Sequence, residues 1–142
     1  MKTPWTASFF YFLALFALGF VLGTLRVVFV APQIGELFAI SLELPLMLGA
    51  SWVICLRLLR QATFLLTRKN LWIFGGSAFA YLMIAEWWVA VSIIKISMGA
   101  YFTHFATWPG MIGLAGQIVF GLLPRLSWKH TLKMDEDYRG IR

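Results

Sequence analysis

Five polar side chains stand inside otherwise apolar sequence: Arg26, Glu36, Glu43, Glu86 and Gln117. The planar fork of an arginine can hold two acceptors. A carboxyl group in apolar surroundings can carry a proton or bind a cation. Placed within a membrane, such groups mark a site for a proton, an ion or a polar ligand. Alternatively, they form ion pairs that specify how helices assemble. Both uses remain open at this level. Sequence motifs for catalysis are missing: no GxSxG, HExxH, phosphate-binding P-loop or GxGxxG segment occurs. No catalytic residue, metal or cofactor is therefore expected, and a membrane enzyme acting on a lipid or quinone ranks as a lower alternative. Cys55 has no second cysteine to pair with, and inside an apolar segment it is expected to pack. His104 and His130 are expected on opposite sides of the membrane, where they cannot share a metal.

The elements that must position these residues follow from composition. Of 142 residues, 61% are hydrophobic and 13% charged, whereas a soluble domain has about a quarter charged. The shortfall comes from long runs. Residues 8–25 carry no charge, 37–56 only Glu43, 71–94 only Glu86, and 96–124 none apart from His104. About 20 apolar residues in a helix cross a bilayer core. The chain is therefore expected to be all-α, a single integral membrane bundle of four transmembrane helices at approximately 7–30, 36–60, 70–95 and 109–127. A short solvated tail, 128–142, should follow. Pro32 and Gly35 break the first pair of helices, and Pro109 suits a helical first turn. The aromatic segment before Pro109 is expected to lie on the membrane surface. Lys2 precedes an apolar run longer than the roughly 7–15 residues of a signal core, with no A-x-A site after it, so a retained first helix is expected.

Charge orients the bundle. With the N-terminus inside, every lysine and arginine except Arg26 and Lys95 falls at the inner face. Both termini are therefore expected in the cytoplasm, in a bacterial-type inner membrane. The net charge of +6 is accounted for by helix ends and does not point to nucleic acid. At 1.5 Å per residue, Arg26, Glu43, Glu86 and Gln117 come within roughly 6–12 Å of the outer helix ends. Each shares a helical face with small residues: Arg26 with Gly19 and Gly23, Glu43 with Ala39 and Ala50, Glu86 with Gly75 and Ala90, and Gln117 with Gly113 and Gly121. Gly19 and Gly23 form a GxxxG pair, and Gly113 and Gly121 are further expected packing positions.

Arg26 should therefore meet Glu43 or Glu86. Two deep carboxyl groups against one arginine leave one carboxyl to hold a proton. Glu36, at the start of the second helix, should favour the helix dipole or also reach Arg26. Pro45 frees the carbonyl of Ser41, which a hydroxyl or water would satisfy more readily than a cation. The first functional expectation is a non-enzymatic accessory or assembly protein. The alternative is a small proton- or ion-linked transporter or channel using the buried charges. The expected partners are the lipid bilayer and either copies of the chain or a larger membrane complex.

Overall fold

A computed structural model describes residues 3–140, with side chains described outside 63–64 and 129–140. Its helices are α1 (Pro4–Ile34), α2 (Glu36–Gln61), α3 (Arg68–Ile93), α4 (Met98–His104) and α5 (Trp108–Gly140). No strand occurs among the described residues. The helices α1, α2, α3 and the Trp108–Trp128 part of α5 are each long and apolar enough to cross a membrane.

Local chemistry sets the ends. Thr3 caps α1 by accepting from Thr6 N at 3.3 Å, and Pro4 takes the first turn, where its missing N–H costs nothing. Gly35 turns the chain into α2 at φ +84°, a left-handed conformation that a side chain would strain. At the other end of α2, a 3₁₀ turn at Thr63–Leu66 leads to Thr67, which caps α3 by accepting from Asn70 N at 3.4 Å. We call these the Gly35 end and the Thr67 end of the bundle.

Three features differ from the sequence expectation. First, α1 and α3 each widen into a π-turn near the Gly35 end, at Arg26–Val30 and Val89–Ile93. The first lies just ahead of Pro32, whose ring crowds the carbonyl four residues back. Second, the expected surface segment contains α4, capped by Ser97 accepting from Ala100 N at 3.2 Å. Gly110 is needed where α5 folds back, because a Cβ there would collide with the His104 carbonyl. Third, the fourth long helix does not stop near 127: its backbone stays helical to Gly140. No proline or glycine interrupts residues 125–139, so nothing in that stretch breaks the hydrogen-bond ladder.

The long helices pack in a ring. α1 lies against α2 and α3, and α5 closes the ring against the same two. The apolar core gathers at the Thr67 end, around Tyr11, Leu15, Leu59, Leu65, Leu71, Phe74 and Phe120. Tyr11 is its centre, stacked on Phe120 at 4.7 Å and tilted against Phe74 at 5.2 Å. Toward the Gly35 end the buried side chains are small, such as Ala39 and Ala90.

Candidate functional site

Arg26 and Glu43 lie almost equally far from Gly35, on either side of it. The antiparallel turn therefore brings them to one level. Arg26 Nε sits 2.6 Å from Glu43 Oε2, with the side chains 21% and 16% exposed. The Nε–H does not point along that line, so charge and proximity hold the pair rather than a linear hydrogen bond. Gly23 faces the carboxylate: a Cβ there would lie 4.0 Å from Glu43 Oε1, an ordinary contact. The π-turn opens at Arg26 itself.

Glu86 belongs to a second pair. Gln117 on α5 donates from Nε2 to Glu86 Oε2 at 2.5 Å. The π-turn of α3 follows directly after it. Tyr101 reaches toward the same carboxyl group from α4. Burial, and then the charge of Glu86, push its phenol above the ordinary value. Among the described residues, neither the Tyr101 hydroxyl nor Gln117 Oε1, both shielded, has a hydrogen-bond partner. α4 is tethered over this region by Trp87 Nε1, which donates to Met98 Sδ at 3.1 Å.

The sequence-derived polar residues thus form two pairs rather than one convergent network. Arg26 meets Glu43 and not Glu86, and among the described residues no hydrogen bond or ion pair joins the two pairs. Glu36 is exposed in the first turn of α2, where the helix dipole favours an acid, and it forms no ion pair with Arg26. Ser41 and Pro45 lie on the exposed face of α2, away from the Arg26–Glu43 pair, and the Ser41 hydroxyl donates to Leu37 O at 2.8 Å. His104 is exposed on α4, and among the described residues no three His, Cys, Asp or Glu side chains are grouped as metal ligands.

The glycines divide by what they meet. Gly19 and Gly23 both face α2, but against side chains: a Cβ on Gly19 would lie 3.1 Å from Met47 Cε. A Cβ on Gly113 would lie 3.6 Å from Ile40 Cδ1, an ordinary contact. Backbone meets backbone at Gly121, whose carbonyl oxygen would be overlapped by a Cβ on Gly75. Of the glycine positions in the long helices' interfaces, only Gly75 thus brings α3 and α5 into direct backbone contact.

Two more polar links lie nearer the Thr67 end. Ser77 donates to Ser8 Oγ at 2.6 Å, and Ser8 donates on to Pro4 O at 2.7 Å. Cys55 Sγ lies 3.4 Å from Ser127 Oγ. Ser127 commits its proton to Leu123 O at 2.8 Å, so the thiol is the donor. Sequence reasoning missed both links. Serines on buried helix faces were the available signal, but a serine can equally bond its own helix and then reveals no neighbour. Among the described residues, every interface of the ring thus carries at least one polar link. Arg26–Glu43 joins α1 to α2, Glu86–Gln117 joins α3 to α5, Ser8–Ser77 joins α1 to α3, and Cys55–Ser127 joins α2 to α5.

No protein-family model matches this chain, and no curated protein or solved structure matches it.

Proposed function

We propose that this chain is a non-enzymatic accessory or assembly protein of a bacterial inner membrane. Both termini face the cytoplasm, and its helices pack against further copies or a larger membrane complex. The observation that carries this reading is the set of polar links that reaches every interface of the ring among the described residues. Polar groups used in this way fix the partner and register of each helix. The thin Gly35 end, with its small buried side chains, leaves apolar helix surface for a partner to cover. The orientation is supported by the basic residues gathered near the Thr67 end.

Purification from native membranes in mild detergent tests the role. A stoichiometric partner, or a defined homo-oligomer, is the expected result. Purified protein that moves protons or ions across liposomes with no partner present would replace this reading with transport. Cysteines introduced at Gln33 and Arg68 test the orientation: an impermeant reagent applied to intact cells should label the first and spare the second. The transport reading has one specific observation in its favour. Among the described residues Glu86 forms no ion pair, and the nearby Tyr101 hydroxyl and Gln117 Oε1 make no hydrogen bond, a setting able to hold an exchangeable proton or water.

A further inference from the structure

The Thr67 end carries a groove that the polar links do not use. It runs between α3 and α5, has a volume of about 160 Å³, and is lined by Trp72, Gly76, Phe79, Ile118, Gly121 and Leu122. Both helices build it in the same way. On α3, Arg68, Trp72 and Gly76 follow at helical spacing along one face. On α5, Arg125 stands one turn beyond Gly121 and Leu122. The two faces meet at Trp72: the Arg125 guanidinium lies 4.6 Å over the indole ring, held by cation–π attraction. An apolar channel lined by two glycines thus ends at Trp72, which belongs at the level of a membrane interface, with Arg125 on its ring and Arg68 one helical turn away along α3. Among the described residues neither Arg68 nor Arg125 forms an ion pair with a carboxylate.

We infer that this groove holds one anionic phospholipid, with an acyl chain along Gly76 and Gly121 and the headgroup phosphate between Arg68 and Arg125. Charge complementarity selects the ligand. A zwitterionic lipid offers the same tail, but its own cation competes for the phosphate. The planar guanidinium fork matches phosphate oxygens in pairs, and stacking on Trp72 fixes its plane in advance. Basic pockets between membrane helices recognise anionic headgroups on this principle. The inference is independent of the accessory role and of which side of the membrane the Thr67 end faces.

Native mass spectrometry of the full chain in non-ionic detergent tests it. Phosphatidylglycerol and phosphatidylcholine with identical acyl chains are titrated separately. The wild type should retain one phosphatidylglycerol at concentrations on the order of tenfold lower than phosphatidylcholine. Replacing Arg68 or Arg125 with Gln should erode that preference by about threefold each. Arg57→Gln, a basic residue outside the groove, should leave it unchanged. Gly76→Leu, which fills the channel, should weaken both lipids alike, an effect that a site for free phosphate would not show. Two results would overturn the assignment: a wild type that does not distinguish the lipids, or an Arg57→Gln loss equal to that of Arg125→Gln. Helix content by circular dichroism identifies any variant that fails to fold, and the wild-type comparison stands without the variants.

Discussion

Arg26→Ala offers the sharpest test of how the bundle is held. Its partner Glu43 keeps only 16% of its side chain exposed, so removing the arginine strands a carboxylate in apolar surroundings. Breaking a fully buried pair costs roughly 3–5 kcal/mol. The residual exposure of both side chains lowers that to about 2–3 kcal/mol. For a chain of this length the loss corresponds to a fall in Tm of about 8–12 °C. Glu43→Gln removes the stranded charge, so Arg26→Ala combined with Glu43→Gln should recover about 1–3 kcal/mol relative to the sum of the singles. The structure also supplies an internal control. Glu86 pairs with Gln117 instead, so Arg26→Ala and Glu86→Gln should add to within about 0.5 kcal/mol. Thermal unfolding of the three single and two double variants in detergent, followed by circular dichroism, gives every term. Additivity between Arg26 and Glu43 would refute the pairing, and coupling between Arg26 and Glu86 would exchange the partners.

Gly75→Ala should be strongly destabilising, by at least about 2 kcal/mol, because its Cβ overlaps the Gly121 carbonyl and forces α3 and α5 apart. Gly76→Ala, with nothing within 4 Å of its Cβ, should be neutral or stabilising by up to about 1 kcal/mol in the same melting assay. Tyr11→Ala should cost roughly 3–5 kcal/mol, because it empties the centre of the core between Phe74 and Phe120. The Tyr101 phenol should ionise above its ordinary value of 10.0, read as the difference in absorbance near 295 nm between wild type and Tyr101→Phe. Glu86→Gln should move that titration down, because it removes the neighbouring charge while burial remains. With the folded pKa raised, any stability it contributes is present below pH 10 and is lost as the pH rises through the folded value.

The long helices were legible because each rests on an apolar run with at most one acidic residue, which only a bilayer accommodates at that length. The Arg26–Glu43 level was legible for a related reason: Gly35 lies midway between them, so chain counting alone aligns them. The partner of Glu86 was less accessible. Depth placed it beside both Arg26 and Gln117, and only the ring order, which hydropathy does not encode, assigns it to Gln117. Cross-helix bonds of Ser8, Ser77 and Ser127 were invisible because a hydroxyl can close on its own helix. The GxxxG spacing drew attention to Gly19 and Gly23, yet backbone meets backbone at Gly75 and Gly121. Met47 and Glu43 face the first two, and spacing carries no information about the opposing surface. Both π-turns were also unforeseen, since each needs only one displaced hydrogen bond in a run that reads as ordinary helix.

The order in which the polar links can form follows from where their residues lie along the chain. Arg26–Glu43 needs only α1 and α2, so the first hairpin enters the membrane with its charges already matched. Ser8–Ser77 adds α3. Glu86, however, arrives on α3 well before Gln117 on α5, and Cys55 likewise waits for Ser127. The last helix therefore completes two bonds at once, on two different neighbours. A nascent chain halted after α3 would present a half-finished ring whose unmatched carboxyl lies in the bilayer, the kind of exposed polar group by which membrane quality control can recognise an unassembled protein.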